Sequence, residues 1–325
     1  MAKPLLHFED GVAKPNVFRI TKARVDAAKR RNRAAASLVQ VSHGEDLATM
    51  DDWLPACSAL ACSSTFLVDP RFPLRTLKDA APKLRWIHVT GAGVESLLPL
   101  DWLPKGVTLT NNSGVHVPKT YEFGLMSLLM LTTRVPEIFT HQRAGKWTPQ
   151  FTGSPRGRTL LVVGLGELGG AVARAGKTLG MKVVGLRRRD QPKLPRLLPK
   201  ADIVYLAAPL TPQTRGMIGA KEFALMKPGA SIANIGRGPL IDTPALIRAL
   251  ESGRLSGAVL DVHDPEPLQP GSPLWRAPNV YISPHCSSDD ADTYMPLTLD
   301  LVFDNARRFA RGLKLRNAVD PKRGY

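Results

Sequence analysis

Three residues stand where strand-like apolar runs give way to polar ones. Arg237 follows SIANIG, Glu266 sits in the DPEP segment after GAVLDV, and His285 ends NVYISPH. Together they make a usable chemical set. An arginine holds a carboxylate through paired, charge-assisted hydrogen bonds and polarises a neighbouring carbonyl. A histidine takes or gives a proton near neutral pH. A carboxylate bonded to that histidine orients its ring and complements the imidazolium charge. Each residue has a plainer role available: a cap for Arg237, a solvated loop carboxylate for Glu266, a local carbonyl partner for His285. Their shared position decides between the readings, because open parallel sheets bind ligands beyond the carboxyl ends of their strands.

A second set binds rather than reacts. TLLVVGLGELGGAVARAG holds Gly164, Gly166 and Gly169 in G-x-G-x-x-G spacing, between an apolar run and a helical pattern. In that context the first glycine makes a tight turn and the second lets backbone approach a pyrophosphate. The third lets helix and strand pack closely, and the helix N-terminus faces the phosphates. Glu167, inside the turn, is expected to face outward. About 20 residues on, a carboxylate would accept hydrogen bonds from the ribose 2′-OH. Here the strand MKVVGL ends at Arg187, followed by Arg188 and Arg189. Arginines there suit a 2′-phosphate, so NADP(H) is the expected cofactor, with NAD(H) possible, and Asp190 is expected to turn away.

The elements that must position these groups follow from the pattern. From Thr159 onward, near-continuous apolar strands alternate with helical stretches, the mark of a parallel sheet buried on both faces. Before it, TYEFGLMSLLMLTTRVPEIFTHQRAGKW reads as one long helical pattern interrupted near Pro136. In the first 112 residues ALACSSTFLV, LRWIHVT and GVTLTNN read as strands, and GAGVESLL as a glycine turn opening a helix. ADTYMPLTLDLVFDNARRFARGL reads as a long amphipathic helix that packs back on the first domain.

Composition narrows the function classes. The 325 residues include 44 Lys and Arg against 28 Asp and Glu, for a net charge of +16. The basic residues are dispersed and no nucleic-acid-binding motif accompanies them, so the charge reads as a basic proteome or an anionic small-molecule ligand, and no nucleic-acid partner is expected. The apolar runs fall short of the roughly 18 residues a membrane helix needs, and MAKPLLHFEDG has no signal-peptide pattern, so a cytoplasmic protein without a membrane partner is expected. Cys57, Cys62 and Cys286 suit neither a disulfide framework nor a zinc site. His7, His43, His88, His116 and His141 show no metal-ligand spacing, so no metal is expected. His263 lies near Glu266 without an evident partner, and Cys286 is read as a small neighbour of His285.

With VVGLGELGGAVA, the long run from AAPLTPQTRGMIG to GAVLDV, DPEPLQPGSPLWRAPNVYISPH and the tail NAVDPKRGY, the chain resembles the D-2-hydroxyacid dehydrogenase family over nearly its whole length. The arginines after the second strand are similar to the NADP-preferring glyoxylate/hydroxypyruvate reductase branch. The resemblance implies an α/β fold of two Rossmann-like domains with parallel sheets and the active site in the interdomain cleft. Residues 1–112 and 290–325 would be the substrate domain and 113–289 the dinucleotide-binding domain. It places the catalytic trio on Arg237, Glu266 and His285. The nicotinamide would be held by Asp261 and by backbone near Ile235, and Leu168, Pro209, Thr214 and Ser287 would border the cofactor. Backbone amides of Ala92 and Gly93 would bind the substrate carboxylate. A homodimer built through 120–147 is implied, with Trp147 approaching the neighbouring site. The expected reaction is reduction of a short 2-oxo acid, glyoxylate or hydroxypyruvate foremost, to the D-2-hydroxy acid. The alternative is a dinucleotide-sensing, corepressor-like binding protein on the same fold.

Overall fold

Short apolar runs become parallel strands in both halves of the chain. The structure is a computed structural model describing residues 2–10 and 15–321. It divides into two units, Met1–Val115 with Asp290–Tyr325, and His116–Asp289. The last four residues of the tail segment NAVDPKRGY lie outside the described residues.

The first unit holds β1 (Leu5–Glu9), β2 (Gln40–Gly44), β3 (Ala59–Cys62), β4 (Trp86–Val89) and β5 (Thr108–Thr110), in the order β2-β1-β3-β4-β5. Every pairing is parallel. β3 and β4 are buried along their whole length, as strands covered on both faces must be. One face packs Leu60, Ile87 and Leu109 with Phe66 and Trp102. The other packs Leu6, Phe8 and Trp86 with the helix Tyr294–Ala310, whose Met295, Leu299, Val302, Phe303 and Ala306 form one apolar stripe. That helix also packs on the helix Lys22–Arg31.

Sequence patterning missed β1 and β2, and the reason is chemical. β1 alternates Leu6 and Phe8 on one face with His7 and Glu9 on the other, and all four are buried. The polar face is satisfied internally: His7 Nδ1 lies 2.8 Å from Ser42 Oγ and its Nε2 3.2 Å from Glu9 Oε2. Buried polar pairs of this kind erase the apolar signal. ALACSSTFLV, expected as one strand, is strand only over Ala59–Cys62. The Ser63 hydroxyl accepts the Phe66 N–H at 3.1 Å and starts the helical turn Ser64–Leu67. After GAG, the chain makes only a short 3-10 turn, Glu95–Leu97.

The second unit holds β6 (Thr159–Val163), β7 (Lys182–Leu186), β8 (Ile203–Leu206), β9 (Ala230–Asn234), β10 (Leu255–Leu260) and β11 (Val280–Ile282). The order is β11-β10-β9-β8-β6-β7, again all parallel. The winding direction reverses at β6, which puts the topological switch point between β6 and β8. The helix Val117–Thr132 packs on the helix Glu167–Thr178; a Cβ on Gly124 would come within 3.2 Å of Ala175 Cβ. The helical pattern breaks at Arg134, in the left-handed region at φ 56°, two residues before Pro136. Among the described residues no helix is long and apolar enough to cross a membrane.

Candidate active site

The glycine turn occupies the switch point. Gly164 has φ 95°, and a Cβ there would lie 2.7 Å from the backbone of Ala207 and Ala208 beyond β8. A Cβ on Gly169 would lie 1.7 Å from Gly164 O, so helix and turn pack with no room for a side chain. Gly166 differs: a Cβ there would meet no protein atom within 4 Å. The first and third glycines serve the fold, and the second keeps open the space over the first turn of the helix Glu167–Thr178. That opening, with the unpaired amides of a twelve-residue helix behind it, fits a pyrophosphate. Leu168 is half-buried in this first turn and Glu167 is exposed.

β7 ends at Leu186, and Arg187, Arg188 and Arg189 are exposed at its carboxyl end. Asp190 is drawn off by its neighbours: Lys193 Nζ donates to it at 2.7 Å and Arg189 Nε lies 3.8 Å away. The Lys193 ammonium, with Arg189 and Arg187 adding to it, holds the Asp190 carboxyl below the usual carboxylate range. Gln191 Nε2 donates to Gln213 O at 3.0 Å, tying this segment to the loop after β8. In that loop Thr214 Oγ1 donates to Pro209 O at 2.8 Å and accepts the Thr211 N–H at 2.8 Å, which fixes Pro209 and Thr214 relative to each other.

The loop after β9 is held from within. Asn234, buried at the strand end, donates to Arg237 O at 2.9 Å and accepts the Gly236 N–H at 3.0 Å. The Ile235 N–H is committed to Leu206 O at 3.0 Å, so of its main-chain groups only the carbonyl could serve a ligand. A Cβ on Gly238 would lie 1.9 Å from His263 O, so the loops after β9 and β10 interlock and carry Arg237 and Glu266 together. Arg237 is half-buried, with Nη1 donating to Gly236 O at 2.7 Å.

His285 Nδ1 lies 2.8 Å from Glu266 Oε2, and Glu266 Oε1 accepts the His263 N–H at 2.7 Å. The glutamate is held at one oxygen and bonds the imidazole with the other. This fixes the ring tautomer and directs Nε2 outward. His285 itself sits at φ 52°, a conformation that costs a non-glycine residue about 1–3 kcal/mol. Asp261, only 1% exposed, supplies the restraint. Its Oδ1 accepts from Ser283 Oγ at 2.6 Å, Cys286 N at 3.0 Å and Ser287 N at 3.1 Å, and its backbone carbonyl accepts the His285 N–H at 2.9 Å. Among the described residues Asp261 Oδ2 has a single donor, Ser287 N at 3.1 Å, and retains capacity for another.

Two histidines passed over in the sequence lie at this site. His116 is buried just ahead of the helix Val117–Thr132, with Nδ1 3.2 Å from Ser288 O and 3.8 Å from Asp289 Oδ1. Burial pushes its pKa down, and the charges of His285 and Arg237 push the same way; burial pushes Asp289 up. The segment carrying His285 is therefore tied to Asp261 on one side and to His116 on the other. His263 is also buried and pushed down by burial, and among the described residues its Nε2 has no hydrogen-bond partner. His116 had no readable signal, since its partners Ser288 and Asp289 are distant in sequence, and His263 had none, since it bonds Glu266 through its main-chain N–H, which any residue but proline carries.

An imidazole–carboxylate pair and an arginine after the strands of a sheet that also carries a G-x-G-x-x-G turn fit a dinucleotide-dependent oxidoreductase. Residues 125–287 match the D-isomer specific 2-hydroxyacid dehydrogenase NAD-binding domain. The chain is 34% identical over 273 residues to a glyoxylate reductase of Korarchaeum cryptofilum, covering 79% of this chain and 80% of the relative. It is 35% identical to a glyoxylate/hydroxypyruvate reductase B of Escherichia fergusonii over 76% of this chain and 81% of the relative. Among solved structures, a D-isomer specific 2-hydroxyacid dehydrogenase of Xanthobacter autotrophicus in complex with NADPH and MES matches over the whole of both chains, with TM-score 0.80 and 28% identity. An NADPH-dependent glyoxylate/hydroxypyruvate reductase of Sinorhizobium meliloti, with NADP and sulfate, matches over 99% of this chain and all of the other, with TM-score 0.77 and 27% identity. The chain belongs to the D-isomer specific 2-hydroxyacid dehydrogenase family.

Proposed function

We propose that the protein reduces a short 2-oxo acid, glyoxylate or hydroxypyruvate, to the 2-hydroxy acid, the D isomer where the product is chiral, with NADPH preferred over NADH. The observation that carries this reading is the 2.8 Å bond between His285 Nδ1 and Glu266. Glu266 retains the proton on Nδ1, so Nε2 is the ring atom that gives its proton to the substrate oxygen. Arg237 takes the substrate carboxylate and draws electron density from the adjacent carbonyl. The bound dinucleotide supplies the hydride. Ala92 and Gly93 enter as further carboxylate ligands from the resemblance, and Asp261, Ile235 and Ser287 as neighbours of the nicotinamide. The NADPH preference rests on Arg187 and Arg188, exposed where an acidic residue would otherwise meet the ribose.

A homodimer in the cytoplasm belongs to the same reading. Met126, Leu129, Ile138 and Phe139 are exposed on the helices Val117–Thr132 and Val135–Arg143, and Trp147 and Phe151 are 96% exposed just beyond them. Apolar surface of this kind suits a subunit contact.

The test is kcat/KM for NADPH and NADH with glyoxylate, on the wild type and on Arg187→Asp. We expect an NADPH preference on the order of tenfold to a hundredfold, the worth of one or two charge-assisted hydrogen bonds, that collapses in the variant. Equal use of both cofactors by the wild type would make the arginines a solvated loop. Absence of turnover with glyoxylate, hydroxypyruvate and pyruvate would sink the reductase reading.

A further inference from the structure

In the first unit, the loop Thr90–Gly93 after β4 has the carbonyls of Thr90, Gly91 and Ala92 occupied and, beyond the Thr90 N–H, which donates to Cys62 O at 2.9 Å, its amides open. Thr90 O accepts from Asn112 Nδ2 at 3.1 Å and from the Tyr294 hydroxyl. Gly91 O accepts the Asn112 N–H at 3.0 Å, and Ala92 O accepts from Asn111 Nδ2 at 2.8 Å. Among the described residues no acceptor takes the N–H of Gly91, Ala92 or Gly93, and all three residues are half-exposed.

Peptide planarity links the two observations. In a trans peptide the carbonyl and the following N–H point in opposite directions. Fixing Thr90 O therefore aims the Gly91 N–H away from Asn112 and Tyr294. Fixing Gly91 O aims the Ala92 N–H, and fixing Ala92 O aims the Gly93 N–H. Three successive amides are turned to the open side of the loop, an arrangement that binds anions. We infer that Asn111, Asn112 and Tyr294 are positioning residues that aim these amides at the carboxylate of the 2-oxo acid. The inference rests on the function proposed above, and it adds side chains that touch no substrate themselves.

The anchors are themselves anchored. Asn112 Nδ2 also donates to Thr298 Oγ1 at 2.8 Å, and that hydroxyl donates to Tyr294 O at 2.8 Å. Asn111 Oδ1 accepts the Ser113 N–H at 3.1 Å, and Asn111 exchanges backbone and side-chain bonds with Asn317. The residues differ in what else they do. Asn112 is fully buried, so truncating it threatens folding. Asn111 alone holds Ala92 O, and the Tyr294 hydroxyl shares Thr90 O with Asn112.

The experiment is steady-state kinetics with glyoxylate on Asn111→Ala, Asn111→Asp and Tyr294→Phe, with NADPH affinity measured separately. Oxamate binding to the NADPH-loaded proteins is the readout independent of turnover. Asn111→Ala should raise the glyoxylate KM and the oxamate Kd about tenfold, one hydrogen bond's worth, with kcat and NADPH affinity within about twofold of wild type. Asn111→Asp keeps the Ser113 contact but has no donor for Ala92 O, so it should bind no better than Asn111→Ala. Tyr294→Phe should shift KM about threefold, because Asn112 remains on Thr90 O. Unchanged KM and oxamate affinity in Asn111→Ala would overturn the inference, as would an Asn111→Asp protein like wild type or an equal loss of NADPH affinity. A wild type that binds oxamate without reducing any 2-oxo acid would refute the proposed reaction, with the oxamate series still deciding the inference. A wild type that does neither would refute both.

Discussion

Each unit ends its parallel sheet in a different kind of chemistry. At the carboxyl ends of the second unit's strands stand ionisable side chains, Arg237, Glu266 and His285, the last two joined by the 2.8 Å imidazole–carboxylate bond. After β4 of the first unit stand bare amides, Gly91 to Gly93, whose direction is set from behind. A side chain that titrates can move a proton, while a backbone N–H can only bind. The division predicts that substitutions at the His285–Glu266 pair change how fast the reaction goes, and those behind Thr90–Gly93 change how well substrate is held.

His285→Asn gives the largest effect. It removes the titrating group and leaves an amide of similar reach, so kcat should fall roughly 10²–10⁴-fold, the range for loss of a general acid, with NADPH affinity unchanged. Stopped-flow hydride transfer under saturating glyoxylate measures it. A loss confined to KM would erase the distinction between the two sheets.

The glycine turn sharpens the comparison one step down, because it mixes fold and binding within one motif. Gly169→Ala puts a methyl 1.7 Å from Gly164 O. The resulting overpacking should destabilise the second unit by about 3 kcal/mol, visible as a lowered Tm without cofactor. Gly166→Ala meets no protein atom within 4 Å, so the fold should hold while NADPH affinity drops several-fold. If Gly166→Ala bound NADPH as tightly as wild type, the space above that glycine would not be the pyrophosphate site.

The same division explains what could be read from the sequence. Side-chain chemistry on apolar strands was legible: the glycine spacing, the arginines after VVGL and the Arg–Glu–His set all appear as residue types at fixed places. Backbone chemistry was not. Ala92 and Gly93 came only from resemblance, since the hydrogen bonds that aim their amides come from Asn111, Asn112 and Tyr294, the last of them some 200 positions away. β1 was lost because His7 and Glu9 satisfy each other inside the sheet. His116 looked like a scattered histidine because its partners, Ser288 and Asp289, are 172 residues or more downstream.

The smallest effect concerns pH and stability. His88 in β4 is fully buried, with Nδ1 2.9 Å from Thr110 Oγ1, and burial pushes its pKa down to about 4. The unfolded chain regains a pKa near 6.5. Between those values the unfolded state binds more protons, so stability is full above about pH 6.5 and drains away as pH falls toward 4. At pH 5 the loss from this residue is ~2 kcal/mol. Urea unfolding of His88→Gln at pH 7.5 and pH 5 should show a flatter pH slope than wild type, whatever the variant's overall stability. His116 and His263 are pushed the same way by burial, so part of the slope should survive. His88 lies in the sheet proposed to bind through backbone, and His116 holds the segment that carries His285, the proposed proton donor. His88→Gln should therefore leave the pH profile of kcat in place, while His116→Gln should move it. A shift of that profile in His88→Gln would mean that the first unit also takes part in proton transfer, and the division between the two sheets would fail.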